Sequence, residues 1–180
     1  MSALTKAVLV YGGNGKNSRL NGILDQAARF LERASLSVET IYIDEIPAED
    51  LIGVKFNSPA VQRANAAIAE SEAVIILTPV YKASFSGILK TYLDLLPQKA
   101  LKGKRLLPVA IGGSLGHLLS IEYSLKPVLS ALGANHILDS VFIEDTQVER
   151  LENNEFFIAQ TASDRLNKGL EALAGGVLKV

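Results

Sequence analysis

The chain is predicted to fold as an α/β protein on a doubly wound, five-stranded parallel sheet of order 2-1-3-4-5. Three observations carry this. Short, valine- and isoleucine-rich apolar runs alternate with segments whose apolar residues recur at helical spacing. The runs are apolar at nearly every position, as expected of strands covered on both faces. Three of the connections that leave these runs carry glycine or proline, the residues a sharp strand-to-helix turn requires.

The elements follow in order. Residues 7–11 (Ala-Val-Leu-Val-Tyr) read as the first strand, and Ser18 as the cap of a helix carrying Leu20, Ile23, Leu24, Ala27, Ala28 and Leu31. Gly22 weakens that helix without breaking it. Residues 38–43 read as the second strand, and residues 44–59 as a polar loop with a short helical turn around Glu49-Asp50-Leu51. Ser58-Pro59 is a helix-start signal, and Val61, Ala64 and Ile68 share one face of the helix over 60–70. Residues 73–78 form the third strand, and Ile88, Leu89, Tyr92, Leu93, Leu95 and Leu96 mark the next helix. Residues 105–111 form the fourth strand. The helix over 117–132 ends at Gly133, a C-terminal stop. Residues 135–143 form the fifth strand, 144–154 a polar loop, and 155–173 the last helix.

At 180 residues the chain is long enough for a single domain with one full core, and 1–180 is assigned to one domain. Hydrophobic residues make up 48% and the net charge is −1, so nucleic acid and anionic membrane surfaces are not expected partners. There is no cysteine, which excludes disulfides, thiolate nucleophiles and zinc–thiolate sites. Residues 7–11 are too short for a signal-peptide core, and no apolar run approaches the roughly 20 residues a membrane helix needs. A soluble protein of the cytoplasm is expected.

In a flavodoxin-like sheet of this order the switch point lies between the first and third strands. The loops after strands one, three and four should therefore converge. The first, Gly12-Gly13-Asn14-Gly15-Lys16-Asn17-Ser18, offers backbone N–H groups, a cation and a helix N-terminus, which suits an anion. It is neither a Walker A loop nor a complete dinucleotide fingerprint, since Ser18 stands where the third glycine would be. The second, residues 79–84, offers rigid backbone and one aromatic, Tyr81, a surface on which a flat heterocycle can lie. The third, Gly112-Gly113-Ser114, permits close backbone approach, with His117 at the start of the next helix. Each loop is equally readable as a plain turn. No metal site and no Ser–His–Asp arrangement is legible, so the chemistry must come from a cofactor.

The helix over 117–132 has a heptad-like seam of Leu118, Ile121, Leu125, Val128 and Leu132, with Leu119 and Leu129 on a neighbouring face, as a helix packed against a partner subunit as well as its own sheet would have; a proline-kinked core helix is the alternative. Pro127 lies inside it. Proline removes one intrahelical bond and crowds the carbonyl four residues back, so a kink or π-bulge is expected near Tyr123.

These residues together resemble a known family. Thr78-Pro79-Val80-Tyr81-Lys82, with Ser86-Gly87, Leu89-Lys90 and Leu93-Asp94-Leu95-Leu96-Pro97, is similar to the flavin loop and following helix of the NADPH-dependent FMN reductases. Within that family the resemblance is to the reductase components of bacterial alkanesulfonate monooxygenase systems. Gly112-Gly113, His117-Leu118-Leu119, the run from Tyr123 through Lys126-Pro127 to Leu132, and Phe56 with Ser58-Pro59-Ala60 also match. The resemblance implies a flavodoxin-like fold, homodimers or homotetramers through the helices 86–96 and 117–132, and FMN with NADPH as cofactors. It implies hydride transfer to FMN and release of reduced flavin to a partner flavin-dependent monooxygenase, without a catalytic acid or base from the protein. The implied flavin-binding residues are Gly13, Asn14, Lys16, Ser18, Arg19, Leu20, Pro79, Val80, Tyr81, Lys82, Ser84, Gly112, Gly113, Ser114 and His117. A quinone or azo reductase with permanently held flavin, and a non-catalytic flavin-binding or interaction protein, are the alternatives. One departure stands out. The family's first loop usually reads Gly-Ser-x-Arg or Gly-Ser-x-Ser, then Ser-Arg-Ser/Thr, whereas here Gly13 replaces the serine, Gly15 holds the fourth position and Leu20 follows Ser18-Arg19. The hydroxyls that grip the phosphate are missing, and Lys16, Asn17, Ser18, Arg19 and backbone N–H groups are the expected substitutes.

Overall fold

The computed structural model of the chain describes residues 5–15 and 17–177. Strand β1 (Lys6–Tyr11) lies between β2 (Ser37–Tyr42) and β3 (Ala73–Tyr81), parallel to both, with Ala7 opposite Val38 on one side and Ala73 on the other. Strand β5 (Arg105–Gly112) continues the sheet beside β3. A short β4 (Ser84–Phe85) folds back antiparallel on the end of β3. The predicted fifth strand is present in two pieces, β6 (His136–Ile137) and β7 (Val141–Glu144), both parallel to β5. The interruption falls at the polar pair Asp139-Ser140, where the Ser140 hydroxyl donates to Glu122 Oε1 instead of lying over a strand. With that edge counted once, the order is the predicted 2-1-3-4-5 and the fold is flavodoxin-like.

Alternation along the strands feeds two separate cores. Val8 and Val10 face one side with Ile76, Ala110 and Leu89. Ala7, Leu9 and Tyr11 face the other with Ile75, Leu77 and Val109. Helices α1 (Leu20–Arg33) and α6 (Gln160–Val177) cover the second side. Helices α2 (Ala48–Ile52), α3 (Pro59–Ala69), α4 (Gly87–Leu93) and α5 (Lys126–Ala131) cover the first. The short turn expected at Glu49-Asp50-Leu51 is α2, and Pro59 stands at the start of α3 as expected. The first helix begins one residue later than its expected cap: Arg19 holds the cap position, while the Ser18 hydroxyl still accepts the Leu20 N–H at 3.3 Å.

One expectation fails. Residues 155–158 are not helical: β9 (Phe156–Ile158) pairs antiparallel with β8 (Val148–Arg150), inside what reads as polar loop, and α6 starts only at Gln160. Phe156 and Ile158 turn inward while Phe157 is exposed, a period-2 pattern that three residues are too few to reveal in sequence. Gly22 is where α1 admits this hairpin; a Cβ there would meet the Phe156 Cβ at 2.5 Å.

The helix expected over 117–132 carries the distortion that the proline argument expects. A 3₁₀ turn (Leu115–Leu118) leads into a π turn (Ile121–Leu125) in which the Lys126 N–H reaches back five residues to the Ile121 carbonyl. Pro127 lies in the first turn of α5 directly after it. The heptad-like seam packs on the protein's own sheet. Ile121, Leu125 and Leu129 are buried in the protein's own core, and the exposed apolar stripe is Leu115, Leu119 and Tyr123. Leu118, Val128 and Leu132 pack against the same core, so the whole seam covers the chain's own sheet.

Candidate functional site

The loops after β1, β3 and β5 meet at the carboxyl edge of the sheet. The first two are joined at Ser86, which is buried. Its backbone N–H donates to Thr78 Oγ1 (3.0 Å), and its hydroxyl donates to the Gly12 carbonyl (2.5 Å) while accepting the Leu89 N–H (3.3 Å) at the start of α4. The Gly12 N–H donates to the Leu77 carbonyl at 2.8 Å. Further out, the Tyr81 hydroxyl donates to Asn14 Oδ1 at 3.3 Å, a second tie between the same two loops. The third loop closes against the second: a Cβ on Gly112 would lie 3.2 Å from the Val80 Cβ and 3.3 Å from His117 Nδ1.

The predicted second loop is a hairpin rather than an irregular connection. Pro79 is inside β3, opposite Ile111 and buried, so its ring faces no open surface. Tyr81 and Ser84 are paired, and the two residues between them, Lys82 and Ala83, have φ of 48° and 62°. Positive φ at both central positions marks a type I′ turn, which normally uses asparagine and glycine. Ala83→Gly is expected to stabilise the protein by about 1 kcal/mol, because an L-alanine in this region carries a Cβ clash that glycine lacks. That corresponds to a rise in Tm of about 2–4 °C, measured by circular dichroism. The hairpin is also tied to the π turn, since Ser84 Oγ and Ser124 Oγ are 3.0 Å apart and the Ser124 hydroxyl donates to the Ser120 carbonyl at 2.8 Å.

The other predicted residues divide. Asn14, Gly113 and Ser114 are exposed on the loops, and Lys82 is exposed on the hairpin. Leu20 is fully buried in the α1 core, so its side chain offers nothing to a ligand. Arg19 Nε donates to the Val148 carbonyl at 2.8 Å and so ties the start of α1 to the β8–β9 hairpin. Lys16 lies outside the described residues. Asp44, not singled out in the sequence, accepts the Gly15 N–H at 3.3 Å. Two buried polar atoms at this edge have no hydrogen-bond partner among the described residues: the Tyr11 hydroxyl and His117 Nδ1. Sequence reading passed over Tyr11 as the last residue of a buried strand; a lone hydroxyl ending an aliphatic run just before two glycines was the available signal.

Among the described residues no group of histidines and carboxylates could hold a metal, and no helix is long and apolar enough to cross a membrane. Two surface grooves, of about 520 Å³ and 560 Å³, lie away from the three loops and include none of the predicted binding residues. The loop edge is favoured over either groove because polar groups and glycines from three strand ends converge on it.

Residues 5–149 match the family model of the NADPH-dependent FMN reductases. This chain belongs to that family. An FMN reductase (NADPH) of Pseudomonas putida is 42% identical over 165 residues, covering 91% of this chain and 84% of the relative. An FMN reductase (NADPH) of Escherichia coli is 45% identical over 131 residues, covering 73% and 69%. Among solved structures, the apo form of the NADH:FMN oxidoreductase EmoB superposes with a TM-score of 0.86 at 29% identity, covering 98% of this chain and 91% of that one. As a member of the NADPH-dependent FMN reductase family the protein is an oxidoreductase, with FMN as its flavin and NADPH as its electron donor. The loop edge fits such a ligand. A buried, unpartnered hydroxyl and a helix N-terminus lie under the first loop, and a hairpin and a glycine loop stand beside them.

Proposed function

We propose that this FMN reductase takes up free flavin as an exchanging substrate in the cytoplasm and passes the reduced form to a partner flavin-dependent monooxygenase of sulfonate or related sulfur assimilation. FMN, when bound, supplies the hydride acceptor. The protein's own task is to hold flavin and nicotinamide face to face and to let both leave. The observation that carries this reading is the linked edge itself: Ser86 and the Tyr81–Asn14 bond tie the loops together, while Asn14, Tyr81, Lys82, Gly113 and Ser114 remain exposed. In this reading Asn14, Ser18, Arg19 and the N–H groups of the Gly13 loop, with Lys16, hold the phosphate. Val80, Tyr81, Lys82 and Ser84 form the bed of the ring system, and Gly112, Gly113, Ser114 and His117 close its third side. Leu20 and Pro79 contribute backbone and packing only.

No acid or base is needed at the hydride step. Orientation on a fixed bed lowers the barrier by holding donor and acceptor in contact. Steady-state NADPH oxidation with and without added FMN tests the reading. The expected result is turnover that saturates with FMN and is near zero without it. A yellow preparation indifferent to added FMN would favour the tightly bound quinone or azo reductase instead.

The same reading makes the protein a homo-oligomer, with its contact at the exposed stripe of Leu115, Leu119 and Tyr123. Leu119 and Tyr123 belong to the helix over 117–132, one of the two expected at a subunit contact. Large apolar side chains adjoining one another on a surface are characteristic of protein contacts. The stripe borders the flavin edge through Ser124, so assembly and flavin exchange are coupled in this reading.

A further inference from the structure

Tyr11 is 1% exposed, yet its hydroxyl makes no hydrogen bond of normal geometry among the described residues, the Ser18 side chain being the polar group that faces it. A hydroxyl buried and unpaired destabilises a protein unless a ligand satisfies it. Tyr11 ends β1 and points to the α1 side of the sheet, where its ring lies 5.6 Å from that of Tyr42. The polar end of the ring is pressed against the first loop. A Cβ built on Gly13 would fall 2.6 Å from both Cζ and the hydroxyl oxygen of Tyr11. Gly13 is therefore a glycine for a reason of space: the phenol occupies what a side chain at position 13 would fill.

We propose that the Tyr11 hydroxyl is a donor to the phosphate of FMN, rising into the first loop from the strand beneath it and supplying the hydroxyl that position 13 lacks. The inference rests on the FMN reading of this site. Three further observations support it. The loop lies at the N-terminus of the 14-residue helix α1, whose positive dipole end favours an anion. Asn14, Gly15 and Asn17 above the phenol are exposed, so the outer side of the loop is open. Burial, aided by Asp44, Tyr42 and Tyr81, pushes the Tyr11 pKa up; Ser18 pulls the other way without prevailing. The phenol thus keeps its proton at neutral pH and can only donate to, not repel, a phosphate. Asp44 is the opposing charge here, and its bond from the Gly15 N–H is the one an arriving phosphate displaces.

The test compares FMN with riboflavin, which has the same ring system and no phosphate. Flavin fluorescence quenching gives the Kd of each for the wild-type chain and for Tyr11→Phe, which keeps the ring and removes only the hydroxyl. The expected result is a Kd for FMN raised about tenfold, as for loss of a hydrogen bond to a charged group, with the riboflavin Kd within twofold of wild type. The unchanged riboflavin affinity also reports that the variant is folded. Equal weakening for both flavins, or no change for FMN, overturns the proposal while leaving the FMN reading intact. A wild-type chain that binds neither flavin overturns the FMN reading and this proposal with it. A second variant pair guards the conclusion. Gly13→Ser alone is expected to weaken FMN because it collides with the phenol. In a Tyr11→Ala background the same serine is expected to restore the preference for FMN over riboflavin, and failure to do so counts against the hydroxyl exchange.

Discussion

Replacing Ser86 with alanine is expected to cost about 2 kcal/mol of stability, a fall in Tm of about 4–8 °C for a chain of this size. The side chain is buried and serves two backbone groups at once: it caps α4 by accepting the Leu89 N–H and satisfies the Gly12 carbonyl at 2.5 Å. Alanine removes the cap, which alone is worth roughly 1 kcal/mol, and leaves the carbonyl unpaired in a buried setting. Among the described residues, the hydrogen bonds that then tie the first loop to the second are Gly12–Leu77 and the outer Tyr81–Asn14. FMN affinity is expected to fall together with stability. Thermal unfolding by circular dichroism and flavin titration of the same preparation check both. Thr91→Ala is the control, since the Thr91 hydroxyl donates to the Ile88 carbonyl within its own helix. A Tm shift for Ser86→Ala no larger than for that control would show that the Gly12 carbonyl is not held by the hydroxyl.

The double variant Leu119→Asp, Tyr123→Asp is expected to reduce the protein to a single chain in solution. Both side chains are well exposed in the isolated chain, at 58% and 79%, so their replacement should cost the monomer little. Two carboxylates buried at such a contact would be desolvated without partners, which strongly destabilises it. Size-exclusion chromatography with light scattering gives the mass directly. Wild-type protein already monomeric would remove the proposed contact. Because Ser124 adjoins Tyr123 and pairs with Ser84 of the hairpin, the variant is also expected to bind flavin more weakly. Full flavin affinity in a monomeric variant would separate assembly from the site.

Much of the architecture was legible because it rests on local pattern. Valine and isoleucine runs identified β1, β3 and β5, and helical spacing identified α1 and α3. Pro127 announced the π turn, since a missing N–H has a local effect whatever surrounds it. Phe156 to Ile158 misled for the opposite reason. Three residues fit either period, and only pairing with Val148 to Arg150 makes them a strand. The second loop was placed correctly after β3, but its hairpin form was hidden, because Lys82 and Ala83 are not the residues that turn prefers.

The same division runs through the binding edge. Sequence pattern was enough to identify the α/β sheet, its order, the three loops that converge and the family that matches them. Those properties follow from periodicity and from glycine and proline, which act within a few residues. The folded chain alone decided which groups in the loops are available. It turned Leu20 and Pro79 into the core, sent the Arg19 Nε to the Val148 carbonyl, left Leu115, Leu119 and Tyr123 exposed, and brought the Tyr11 hydroxyl under Gly13. Whether a side chain is spent or free depends on partners distant in sequence, and no local pattern contains them.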